Sequence, residues 1–260
     1  MEQRTVCRNK RIKRRRRVRK VKIIGIFLLC LTVAWLGIRH FMPGNASSVM
    51  ISPGELASYP DWLREMVERN PETSSFAKDY ENRENYIGAP IDLSGECESG
   101  EVPLLMQWDR RWGYDPYGDD IIGVAGCGPT CLSMAYIYLT GDTSKNPRVM
   151  AEFADENGYY SSEGTSWSLW TEGAAQLGLH SAEVSLDESA MKNRLDEGQV
   201  LICSMAPGDF TTTGHFILIR GYGEGGFAVN DPNRKSNSEK TWSFEKLQGQ
   251  IKCLWALSYE

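Results

Sequence analysis

Gly126-Cys127-Gly128-Pro129-Thr130-Cys131-Leu132-Ser133-Met134-Ala135-Tyr136-Ile137-Tyr138-Leu139 is the stretch on which the fold turns. It predicts a helix from about Gly128 to Leu139. Pro129 falls in the first turn, where its missing N–H is not needed, and Gly141 ends the helix. Leu132, Met134, Ala135, Ile137 and Leu139 make it apolar nearly all round. That pattern belongs to a helix sunk in a core rather than lying on a surface.

Working outward, further helices are predicted at about 147–156, at 166–177 with Gly178 at its end, and at 188–197 between a cap at Asp187 and a stop at Gly198. Strands follow at 200–205, 215–221, 227–230 and 253–259. Helices first and strands second indicate an α+β domain with an antiparallel sheet, over residues 101–260. Upstream, 43–100 reads as a linker and helical stalk. Its start, 43–58, is rich in Pro, Gly, Ser and Ala. One helix then carries Trp62, Leu63, Met66 and Val67 on a single face and ends at Pro71; a second carries Phe76 and Tyr80. These helices either space the domain from what precedes it or pack on it.

The net charge of −5 hides a split chain. Residues 1–22 hold twelve Lys or Arg and one acid, leaving seventeen basic and thirty-three acidic side chains for the rest. Directly after Lys22, the sixteen residues Ile23 to Ile38 carry no charge. With snorkelling by Lys22 and Arg39, a membrane-spanning signal-anchor at 23–42 is expected; the alternative is a signal peptide cleaved near Gly44-Asn45-Ala46. Either way the basic end faces the cytoplasm and the remainder lies outside, as a single-pass membrane protein or, if cleaved, a secreted one. Arg14 to Arg17 suit anionic lipid head groups. No aromatic residue interleaves them, so a nucleic-acid partner is not expected. The five cysteines beyond the apolar run are an odd number, so at least one is free or pairs with another chain.

Cys127 is the candidate nucleophile. At a helix N-terminus the backbone dipole and free N–H groups favour a thiolate, and glycine on either side suggests open backbone for a substrate carbonyl. The bland alternative is a small packed thiol. Of three histidines, His40 abuts the apolar run and His180 reads as a surface position on a connecting strand. His215 follows the small, polar Thr211-Thr212-Thr213-Gly214 and opens the apolar Phe216-Ile217-Leu218-Ile219, a place for a rigidly held base. Asp231 lies sixteen residues on, brought back beside His215 if 227–230 pairs across the glycine turn. There it can orient the imidazole. Asn230-Asp231-Pro232-Asn233 is also an ordinary turn sequence, and both readings are compatible.

With these residues in view, the chain from about Leu104 onward resembles the papain-fold peptidases of family C-39, the bacteriocin-leader-peptidase type, and more closely their free-standing exported bacterial relatives. The matching segments are Gln107-Trp108-Asp109, Gly126-Cys127-Gly128-Pro129-Thr130, Gly214-His215-Phe216-Ile217 and Asn230-Asp231-Pro232. The resemblance implies a papain-like fold and a cysteine peptidase with Cys127 as nucleophile, His215 as general base and acid, Asp231 as its orienter and Gln107 as side-chain oxyanion donor. Gln107 stands twenty residues before Cys127, whereas in many papain-like enzymes the glutamine is only a few residues away. Transporter-linked members cleave leaders after a double glycine, a substrate not expected of an outward-facing chain without a transporter domain.

The substrate class implied is a peptide or protein, with no cofactor. Gly221, Gly223 and Gly226 fit a GxGxxG spacing, but a strand follows instead of a helix, so they form a hairpin turn. Cys127 and Cys131 have no second ligand pair for a metal, and Cys131 reads as core. Two other functions share these residues: amide transfer on the same acyl-enzyme, or a non-catalytic surface module. In the latter, Trp108, Trp112, Trp167 and Trp170 line a groove instead of packing.

Overall fold

The computed structural model describes residues 51–259. The helices α1 (Asp61–Arg69) and α2 (Ser74–Asp79) lie ahead of the central α3 (Cys127–Thr140), with α4 (Pro147–Glu156) and α5 (Glu188–Asp196) after it. Nine of the fourteen residues of α3 are buried, as its apolar circumference demands. Gly141, at φ 75°, closes it by donating its N–H to Ile137 O at 2.8 Å, a left-handed cap that glycine adopts without Cβ strain.

Six strands form one antiparallel sheet: β1 (His180–Glu183), β2 (Val200–Met205), β3 (His215–Gly223), β4 (Gly226–Asn230), β5 (Thr241–Trp242) and β6 (Ile251–Ser258). Their spatial order is β1-β6-β2-β3-β4-β5. Strand alternation divides the core in two. Val200, Ile202, Phe216, Leu218, Trp255 and Leu257 meet α3 and α4 on one face. Leu201, Cys203, Met205, Ile217, Ile219 and Val229 meet Met191 of α5 and Leu247 on the other. Because both faces are covered, β2 is buried at every position and reads in sequence as an apolar run interrupted only by Ser204.

All five described cysteines are free. Cys203 lies opposite Leu254, and Cys253 opposite Ser204, across the β2–β6 ladder. Consecutive strand positions face opposite sides, so the two sulfurs point into different cores and do not form a bridge.

The stalk helices pack on the domain. Leu63, Val67, Phe76 and Ala77 bury against Tyr114, with Trp108 and Ile121 at the rim. The Phe76 ring stacks on Tyr114 at 4.2 Å between ring centres. It occupies a slot in which a Cβ on Gly113 or Gly123 would come within 2.7 or 2.9 Å of it. Among the described residues no helix is long and apolar enough to cross a bilayer. The expected anchor at 23–42 lies outside them.

The helix predicted at 166–177 is broken. A 3₁₀ turn, Trp167–Trp170, precedes a short helix, Glu172–Gln176. Three residues per turn bring Trp167 and Trp170 onto one side, where both rings meet Trp255, at 5.5 and 6.4 Å. The ladders Pro116–Tyr117 with Asp120–Ile121, and Tyr160–Ser161 with Gly164–Thr165, fall in stretches without strand periodicity. Two-residue strands are too short to show one.

Candidate active site

Cys127 is the first residue of α3, and His215 the first of β3, which runs beneath that helix. The β3–β4 hairpin sets the third group. Leu218 pairs with Asn230, so Asp231 emerges just past the end of β4 at the level of the start of β3. Here the expectation from the glycine turn holds, helped by a register shift between Ile219 and Gly221.

The three side chains come together, and two of them are hydrogen-bonded. His215 Nε2 donates to Asp231 Oδ1 at 2.8 Å, which leaves Nδ1 for Cys127, whose sulfur lines the same cleft and interacts with the imidazole electrostatically. The tautomer follows from these partners. Asp231 is fully buried and held by more than the histidine. Its Oδ1 accepts the N–H groups of Asn233 and Arg234 at 2.9 and 3.2 Å, its Oδ2 accepts Asn237 Nδ2 at 2.7 Å, and its own N–H donates to Ser238 Oγ at 2.8 Å.

Electrostatics favour charge separation. Burial works against a Cys127 thiolate, but the imidazole of His215 and the amides of Phe216 and Gly128 together more than offset it and hold the thiol below its ordinary pKa. Burial likewise opposes an imidazolium. The Asp231 carboxylate and the Cys127 sulfur overcome it and raise His215 well above the usual histidine range. Asp231 stays ionised despite desolvation because His215, Asn237 and the Asn233 amide stabilise its charge. By contrast, burial pushes the Cys131 thiol far up, and its sulfur lies 3.5 Å from Phe216 O in the core. This is the packed role read for Cys131 from sequence.

Gln107 is placed differently from the expectation. It is buried, and its Nε2 donates to Gly123 O and Val124 O at 3.0 and 3.1 Å. The carboxamide thus holds the turn before Cys127. Gln107 N–H donates to Pro232 O at 2.8 Å, so the residue ties the Cys127 turn to the Asp231 loop. The glycines also differ. A Cβ on Gly126 would lie 2.5 Å from Ile122 O, and one on Gly128 would lie 2.7 Å from the Thr165 side chain. Glycine is required there for close packing, not to open the backbone to a substrate.

A cleft of about 440 Å³ opens over the sulfur, lined by Val124, Cys127, Glu163, Trp167, His215 and Lys252 among others. Of the four tryptophans considered, Trp112 and Trp170 are fully buried. Trp167, 47% exposed, stands in the cleft. His180 is exposed on β1, opposite Ser258 and separated from β3 by two strands.

The profile of the Peptidase_C39 like family matches residues 100–257. The chain belongs to that family. As a C39-like protein of papain-like type it is a cysteine peptidase, with peptides or proteins as substrates. Two solved structures are similar to it. The peptidase domain of Streptococcus ComA, a bi-functional ABC transporter involved in a quorum-sensing pathway, is 18% identical with a TM-score of 0.39, covering 52% of this chain and 93% of that one. A putative C39-like peptidase from Bacillus anthracis is 15% identical with a TM-score of 0.36, covering 62% and 96%. Both scores are low, so the assignment rests on the profile. No curated protein matches the sequence.

Asn237 and Ser238, which hold the Asp231 carboxylate and amide in this C39-like domain, were missed from sequence. An Asp followed two residues on by Asn, as in Asp231-Pro232-Asn233, does signal a carboxylate accepting a nearby amide. Nothing comparable marks Asn237.

Proposed function

We propose that this C39-like peptidase is tethered to the membrane by residues 23–42, faces outward, and cleaves a peptide or isopeptide bond through an acyl-enzyme on Cys127. The observation that carries the catalytic part is Cys127, at the start of a buried helix, sharing a cleft with His215, whose imidazole is hydrogen-bonded to the buried Asp231. The Cys127 thiolate attacks the scissile carbonyl, and the carbonyl oxygen takes up negative charge against the first amides of α3. His215 gives its proton to the leaving amine and the acyl group stays on sulfur. Water then attacks, losing a proton to His215, and the thiolate leaves. Asp231 keeps the imidazole turned toward sulfur and stabilises its charged form. Gln107 fixes the turn ahead of Cys127. The tether rests on the basic run followed by sixteen uncharged residues.

A thiol-directed acylating probe tests the catalytic part. Wild type and Cys131→Ala should be labelled and Cys127→Ala should not. Equal labelling of the two variants would sink it.

A further inference from the structure

The loop that holds Asp231 is gripped from outside as well as from within. Asn233 and Arg234 give their N–H groups to Asp231, while the Asn233 carbonyl accepts Asn70 Nδ2 at 2.6 Å and Trp108 Nε1 at 2.7 Å. One residue further, Glu72 takes two backbone donors, Lys235 N–H on Oε2 at 2.6 Å and Ser236 N–H on Oε1 at 3.1 Å. The Arg234 guanidinium donates to Arg69 O at 2.8 Å. Asn70 is buried and orders the turn itself, its Oδ1 accepting Glu72 N–H at 3.2 Å. Residues 233–236 are therefore clamped between the Asp231 carboxylate and the turn 69–72. That turn lies ahead of the stretch matched by the family profile, which begins at residue 100.

We propose that Asn70 and Glu72 are positioning residues: they fix the 233–236 loop and so hold the Asp231 carboxylate on His215. The inference rests on the reading of Cys127, His215 and Asp231 as the reacting set. A carboxylate accepts several N–H donors only while the loop presents them together. Release one side of the clamp and the amides of Asn233 and Arg234 drift. Asp231 then shifts relative to the imidazole, and the charged form of His215 loses support. The titratable groups facing His215 are Asp231 from the loop and Cys127 from α3, with Glu163 and Lys252 across the cleft. None of these is altered by a change at 70 or 72, and Asn70→Ala removes no charge at all, so its effect on His215 must travel through the loop.

The test is the titration of the His215 ring, followed by nitrogen NMR shifts in the full chain labelled at its three histidines. Glu72→Ala and Asn70→Ala should each lower the His215 midpoint by about half a pH unit or more. Glu72→Gln, which keeps one acceptor, should restore most of the difference. Arg110→Ala removes the 3.0 Å ion pair to Asp79 that ties α2 to the domain elsewhere, and should leave the midpoint in place. A merely structural role would move all four variants alike, or none, and either result overturns the proposal. Should Glu72→Ala fail to fold, an unshifted midpoint in Asn70→Ala overturns it equally. Probe labelling of wild-type Cys127 keeps the two readings apart. Labelling with no shift defeats only the clamp, whereas a shift without labelling defeats only the enzyme.

Discussion

Replacing Asp231 with Asn removes one charge from a buried site and leaves most of its shape. The Asn carbonyl oxygen retains the three donors now on Oδ1: His215 Nε2, Asn233 N–H and Arg234 N–H. Its new NH₂ faces Asn237 Nδ2, and Asn237 answers by turning its own amide over. What disappears is the attraction between carboxylate and imidazolium. With a 2.8 Å contact between the nearest atoms, the charge centres lie about 4 Å apart. At an effective dielectric of about 20 that attraction is roughly 4 kcal/mol, or about three pH units. The amide dipole returns part of this, so a fall of about two units in the His215 pKa is expected. The sign is fixed, because the His215 pKa is raised in the folded protein and Asp231 is one of the groups raising it. Losing Asp231 lowers the pH at which the imidazolium gives up its proton. The rate of Cys127 modification by iodoacetate measures this, since the reagent needs the thiolate and its carboxylate is drawn by the imidazolium. In wild type the rate rises from acid pH as the thiolate forms and falls at alkaline pH as His215 deprotonates. Asp231→Asn should pull in the alkaline side by about two units. An alkaline side that stays in place, with the fold intact, would refute the account of Asp231.

Two further outcomes test other parts of the molecule. Phe76→Ala empties the slot beside Tyr114, Gly113 and Gly123 and should cost about 3–5 kcal/mol in urea unfolding without changing the slope; an unmoved midpoint would mean that the helical layer does not pack in solution. Deleting residues 23–42 should move the protein from the membrane pellet to the soluble fraction, and external protease should reach the domain of the full chain in intact cells. A domain protected from that protease would refute the outward orientation.

The parts of the fold that could be read were those with local causes. α3 announced itself because burial all round needs apolar residues all round. β2 was delimited at both ends because its run of apolar residues is covered on both faces. The nearness of His215 and Asp231 followed from one glycine turn between two strands, a connection short enough to fix register. What could not be read depends on contacts between distant segments. Nothing near Gln107 reveals that its amide binds carbonyls sixteen and seventeen residues away. Gly126 and Gly128 suggest open backbone in isolation, and only Ile122 and Thr165 show the space to be filled. The helices at 61–79 carry an apolar face that suits either a partner or the domain, and Tyr114, thirty-eight residues beyond Phe76, decides between them. The break after Trp170 answers to Trp255, at the far end of the chain.

The sheet's two margins are short, four residues in β1 and two in β5. A foreign strand seeking unpaired backbone finds few places to add itself, which discourages stacking of one molecule upon another into fibrils. The same brevity bears on how cargo arrives. A polypeptide has little to gain by zipping along either margin.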